Sequence, residues 1–167
     1  PAAADPTAVE STAAEPTTPA PDPAAPDFTR PEPPAKWLTD YERSGGVDTP
    51  RHAETVAYCR RLAGASRQLR YETFGVSPQG RELPLLIADR RGRFTPEASR
   101  RAGNAVVLIQ ACIHAGEPDG KDAGLMLLRD LTLGSVPPGL PEGVTVLFIP
   151  IFSVDGHERF GPHNRIN

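Results

Sequence analysis

The feature that most restricts this fold is a pair of apolar runs, NAVVLIQAC at 104–112 and VTVLFIPI at 144–151, with a helix-patterned stretch between them. Unbroken β-branched and apolar runs suit central strands covered on both faces. Between them, 119–133 carries Leu125, Met126, Leu127, Leu128 and Leu131. So little polar face is left that the spacing predicts a helix buried against the sheet. The Pro-rich 135–142 is a loop. Strand, helix and strand, with a crossover of this length, predict a right-handed parallel unit.

Upstream, LRYETFGV at 69–76 alternates as a strand should, Ser77-Pro78-Gln79-Gly80 is a turn, and ELPLLIAD at 82–89 is a second strand, which makes a hairpin. Thr49-Pro50 suits a helix start, with Thr as cap and Pro in the first turn. Ala53, Val56, Ala57 and Leu62 continue an amphipathic pattern over about 50–63 that Gly64 would close. The expected class is α/β, with a mixed sheet that has a hairpin edge and a parallel centre.

Composition divides the chain. Ten of its 20 prolines fall in 1–36, a stretch of Ala, Pro, Thr and acid with no aromatic before Phe28. Such a segment buries too little apolar surface to offset the entropy of ordering, and is expected to be a disordered linker. The domain is expected over 37–167, from about Trp37. Net charge is −3, and the tail's six acids against Arg30 and Lys36 account for most of it. The rest is nearly neutral, which argues against nucleic acid. Arg90, Arg91, Arg93, Arg100 and Arg101 are expected to form a solvated loop. Cys59 and Cys112 do not by themselves imply a disulfide. No apolar run is long enough to cross a bilayer. A Pro/Ala/Thr stretch ahead of a domain suits a spacer left after a signal or lipid-anchor segment is removed, so export to the periplasm, cell envelope or medium is expected.

In open α/β sheets, functional groups gather beyond the carboxyl ends of the strands. One such end carries Ile113-His114-Ala115-Gly116-Glu117, the other Ser153-Val154-Asp155-Gly156-His157-Glu158. An imidazole and a carboxylate three apart in a strand-to-helix loop can converge on zinc, which accepts both. The other reading is a histidine hydrogen-bonded near a helix start, with Glu117 favoured by the helix dipole. A phosphate loop at Gly120-Lys121 fails, because Ala115 stands where a glycine is required and Asp122 where Ser or Thr is. A nucleophile elbow at 75–80 fails too, being one residue too long and preceding a strand.

Four stretches in order resemble the carboxypeptidase A-like zinc metallocarboxypeptidases. Ile113-His114-Ala115-Gly116-Glu117 resembles the family's His-x-x-Glu zinc motif. Gly75-Val76-Ser77-Pro78-Gln79-Gly80-Arg81-Glu82-Leu83 resembles its Gly-x-Ser-x-x-Gly-Arg-x-Leu hairpin. Ser153-Val154-Asp155-Gly156 sits where the family has Asn-Pro-Asp-Gly, and Arg165-Ile166-Asn167 follows at about the distance of its Arg-x-Asn. The resemblance implies an α/β/α sandwich on a mixed sheet, a Zn2+ cofactor, and a hydrolase acting on the C-termini of peptides or proteins. It implies His114 and Glu117 as metal ligands and Arg165 as a substrate-binding, oxyanion-stabilising arginine. A loop arginine is the competing reading of Arg165.

Ser153-Val154 in place of Asn-Pro marks a divergent branch, so substrate preference does not transfer. The resemblance also implies that the second zinc histidine, the carboxylate-binding pair and the catalytic glutamate lie beyond Asn167. No catalytic residue is therefore assigned within the chain, and alone it is expected to be an inactive fragment with an incomplete sheet. His157 and His163 do not match the third ligand's position, and Glu158 is expected to be a solvated loop acid rather than a general base. Asp155 and Gly156 are expected to shape a turn. A deacylase or amidase on the same scaffold, or a non-catalytic binding domain, are the alternative functions.

Overall fold

The computed structural model describes residues 32–134, 139–159 and 161. The expected linker, apart from 32–36, lies outside the described residues, as do His163 and Arg165. A short 3-10 turn at Ala35–Trp37 precedes α1 (Asp40–Arg43), α2 (His52–Ala65), β1 (Leu69–Val76), β2 (Glu82–Asp89), α3 (Pro96–Arg101), β3 (Ala105–Gln110), α4 (Asp119–Thr132), β4 (Val144–Ile149) and α5 (Val154–His157). The four strands form one mixed sheet in the order β1-β2-β4-β3. β1 and β2 pair antiparallel, β2 and β4 antiparallel, and β3 and β4 parallel. The class is α/β, as expected.

One sheet face carries the core. Cys59 and Leu62 of α2 and Leu125 and Leu128 of α4 meet Leu86 of β2 and Phe148 of β4, all at most 2% exposed. α4 lies so close that a Cβ on Gly124 would come within 2.3 Å of the Phe148 ring. Only Gly leaves room there. The far face is thinly covered by α3, leaving a cleft of about 260 Å³ lined partly by Leu85, Ile87, Phe94 and Val106. Beside this mainly apolar cleft, Thr145 links its lining to a buried polar cluster. Buried Asp89 accepts from the amides of Arg91 (2.8 Å) and Arg93 (3.0 Å), from Asn104 Nδ2 (2.7 Å) and from Thr145 Oγ1 (2.9 Å).

Several expectations need correction. β3 is not a central strand covered on both faces. Among the described strands it is an edge, and Val106, Val107, Leu108 and Ile109 are 57, 43, 53 and 36% exposed. The run is apolar enough to require cover, but no described element supplies it. Thr49 does not cap α2. Its hydroxyl donates to Asp122 Oδ2 at 2.6 Å, and Arg51 holds the cap position without a side-chain bond. Gly64 lies inside α2 rather than ending it. Of the arginines, Arg90, Arg91 and Arg93 lie in the connection between β2 and α3 as expected, but Arg100 and Arg101 belong to the last turn of α3, where cations suit the helix dipole. Arg91 and Arg90 pair with Glu142. α4 buries more charge than its sequence suggests, with Lys121, Asp122, Arg129 and Asp130 inside and Leu127 half exposed. Arg129 is satisfied by Glu42, Asp130 and the Trp37 carbonyl, which joins the first turns of the domain to α4.

Candidate metal centre

The two strand-end loops emerge side by side because the pairing of β3 and β4 continues past both strands. Ala111 N donates to Ile149 O at 2.9 Å, Phe152 N to Ala111 O at 2.9 Å and Ser153 N to Cys112 O at 3.0 Å. At Cys112 the chain turns sharply, with φ at +47°. Its side chain packs with Ile151 and Val154, and burial pushes the thiol up to about 11. Cys112 is thus a buried, protonated thiol, and Cys59 is likewise buried and free.

Beyond Cys112 a turn closes from Glu117 N to His114 O at 3.1 Å. It brings His114 Nδ1 to 3.1 Å from Glu117 Oε2, with the side chains 41 and 49% exposed. Two ligands held at about 2.0–2.1 Å from zinc at a tetrahedral angle stand about 3.3 Å apart. The donor types, their separation and their access to solvent therefore fit a zinc ion bound between them. No group of three or more His, Cys, Asp or Glu that could hold a metal occurs among the described residues.

The loop after β4 is built differently. Asp155 is bound by the hairpin turn: Ser77 Oγ donates to Oδ1 at 2.8 Å, Arg81 Nη1 to Oδ1 at 2.7 Å and Gln79 N to Oδ2 at 3.2 Å. Burial alone would raise its pKa, but these donors hold the carboxyl below the ordinary range. Two of the motif stretches thus meet through one carboxylate. His157 is 1% exposed and its Nε2 faces Lys121 Nζ at 3.1 Å, so its ring is directed into the interior. Burial, with Lys121 beside it, pushes His157 down to about 4. Glu158 is not a solvated acid. It accepts from His52 N at 2.9 Å, supplying from 106 residues away the side-chain cap that the start of α2 lacks.

Sequence reasoning missed Lys121 and Asp122, the two most buried charges near the candidate site. A signal existed: Lys121 lies four and seven residues before Leu125 and Leu128, on the stripe that helical periodicity buries.

The sequence pattern of the zinc carboxypeptidase family (Peptidase_M14) matches residues 55–167. Carboxypeptidase 2 of the fungus Trichophyton rubrum is 29% identical over 116 residues, which are 68% of this chain and 21% of that protein. The crystal structure of carboxypeptidase A from Helicoverpa armigera shares the fold at a TM-score of 0.55 and 21% identity, over 66% of this chain and 26% of that one. The chain therefore spans about a fifth to a quarter of the length of these relatives. With the family's sequence pattern running through well over half of it, the chain belongs to the zinc carboxypeptidase family.

Proposed function

We propose that this chain is the metal-binding part of a zinc-dependent carboxypeptidase that removes residues from the C-termini of peptides or proteins. One observation carries the reading: in a member of the zinc carboxypeptidase family, His114 Nδ1 and Glu117 Oε2 converge to 3.1 Å at the carboxyl end of β3. His114 and Glu117 hold the ion. A zinc ion so held polarises a peptide carbonyl and lowers the pKa of water. The chain's own contribution is positional. The turn from Glu117 N to His114 O sets the two ligands, and the Asp155 clamp fixes the neighbouring loop against the hairpin.

The proposal places the third ligand and the general base outside the described residues. Arg165, also outside them, is assigned to the substrate's terminal carboxylate and the developing oxyanion. The bare apolar strand β3 supports the same view, because further strands of one polypeptide would cover it. Peptides met after export are the proposed substrates.

The test uses the full-length protein purified without chelators. One zinc per chain is expected, along with hydrolysis of N-blocked dipeptides that carry a free carboxylate. Cleavage of amidated peptides or N-acyl amino acids at an equal rate would replace the exopeptidase with a deacylase or amidase. Absence of stoichiometric zinc would leave a binding domain.

A further inference from the structure

Lys121 and His157 have no part in the chemistry above, yet they are 0 and 1% exposed. Leucine at 121 would continue the apolar stripe of α4, whereas a buried ammonium has to be compensated by specific partners. Lys121 Nζ donates to the Pro50 carbonyl and faces His157 Nε2 at 3.1 Å. With Lys121 protonated, Nζ can only donate, so Nε2 would accept and the imidazole proton would lie on Nδ1, on the side of Glu158 Oε1 at 3.8 Å. The next residue repeats the tie, since Asp122 Oδ2 accepts from Thr49 Oγ1 at 2.6 Å. Two adjacent side chains of α4 are thus bonded to the adjacent residues 49 and 50, and through His157 to α5.

This matters because the start of α4 has acids in its first turn, Asp119 and Asp122, but no side-chain cap. Pro118 holds the cap position with no side-chain hydrogen bond. Only the amides of Lys121 and Asp122 return to the Pro118 carbonyl, at 2.9 and 3.1 Å. Glu117 is the residue immediately before Pro118. The direction in which its carboxylate leaves the backbone depends on where that first turn is held.

We propose that Lys121 and His157 are positioning residues for the metal-binding loop: the buried Nζ–Nε2 contact, with the Pro50 carbonyl, fixes the first turn of α4 and thereby holds Glu117 against His114. The inference rests on the reading of His114 and Glu117 as zinc ligands. A carboxylate already held near the imidazole needs no rearrangement when the ion arrives. A loosened turn makes each binding event reorder it, and groups that orient metal ligands are typically worth about 10–100-fold in affinity.

The experiment compares full-length wild type with Lys121→Met, His157→Leu, His157→Gln and Thr145→Val, at a temperature where circular dichroism shows each to be folded. Thr145 belongs to the buried cluster with Asp89 and Ser99 at the opposite end of β4, so its loss reports on stability alone. Zinc affinity is measured by competition with a chelator. Lys121→Met and His157→Leu are expected to weaken it about tenfold or more. His157→Gln, whose Oε1 can still accept from Lys121, stays near wild type, and Thr145→Val lowers the melting temperature without changing affinity. Wild-type affinity in His157→Leu overturns the proposal. So does a loss in Thr145→Val equal to that in the other variants. Should Lys121→Met not fold, the two His157 variants decide. If wild type takes up no zinc, the metal reading itself fails, and hydrogen exchange then decides the positioning claim. The amides of Glu117, Lys121 and Asp122 should exchange at least about tenfold faster in His157→Leu than in wild type, with α4 protected from Leu125 onward. Unchanged exchange at those three amides rejects it.

Discussion

The loops that follow β3 and β4 leave adjacent parallel strands at the same end of the sheet, and both are rich in polar residues, yet they are used in opposite ways. After β4, Asp155, His157 and Glu158 bond to the hairpin, to α4 and to the start of α2. After β3, His114 and Glu117 meet each other and remain open to solvent. The β4 loop spends its polar groups on bonds to other elements, while the β3 loop pairs His114 with Glu117 at the surface, where we propose that they bind a metal ion.

The largest effect is expected from a change in the loop after β3. Glu117→Ala in the full-length protein is expected to remove most bound zinc and most activity, because on the proposed reading it deletes a ligand. Its unfolding free energy without metal should move by no more than about 0.5 kcal/mol, as for other exposed positions. Metal content by mass spectrometry and urea denaturation measure the two effects. Metal content that stays at the wild-type level would remove Glu117 from the ligand set.

The second test uses pH. His157 is held down to about 4 by burial and by Lys121, with His52 opposing and Glu158 favouring its protonation. In the unfolded chain it titrates near its ordinary 6.5. Between those values the unfolded state binds the extra proton. Stability is therefore complete above about pH 6.5 and is lost as the pH falls towards about 4, by roughly 2–3 kcal/mol. His157→Gln should flatten that part of the profile. Urea unfolding at pH 7 and pH 5 checks this, and an unchanged slope in the variant would mean that another group carries it.

Much of this arrangement was legible in the sequence, and the rest was not for physical reasons. The hairpin at 69–76 and 82–89 follows from local alternation and a turn of Ser, Pro, Gln and Gly, and its strands have those bounds. The His114–Glu117 pair was legible because both residues belong to one short turn. The misread residues have partners far away in sequence. Thr49 has good capping chemistry, but Asp122, 73 residues on, takes its hydroxyl. Glu158 has a loop acid's sequence context and a helix start 106 residues back as its partner. β3 was read correctly as a strand that needs cover, but apolarity cannot say where in the sheet order a strand falls.

A smaller effect separates the loops at lower pH. Asp155 has its carboxyl held below the ordinary 3.8 by Arg81, Ser77 and the Gln79 amide, against burial. Its contribution is present above about pH 4 and is lost as the pH falls below that through its depressed value. Asp155→Asn keeps the shape and removes the charge. It should lower the melting temperature at pH 7 and lose less than wild type on acidification from pH 4 to pH 3, with zinc content unchanged. Loss of zinc in this variant would show that the clamp and the metal loop are coupled.

The smallest expected effect lies where the two loops begin to part. Cys112 adopts φ +47° without being glycine, a conformation that costs an ordinary L-residue about 1–2 kcal/mol. Glycine usually destabilises a protein relative to alanine by about 0.5–1 kcal/mol. At this position the order should invert. Alanine loses the sulfur's contacts with Ile151 and Val154 and keeps the strain, whereas glycine loses the same contacts and relieves it. Cys112→Gly is therefore expected to be more stable than Cys112→Ala by about 1 kcal/mol in urea unfolding. The ordinary order, with alanine the more stable, would mean that the turn into the metal loop relaxes when the cysteine is removed, and that the buried sulfur rather than the backbone sets the direction in which His114 leaves the sheet.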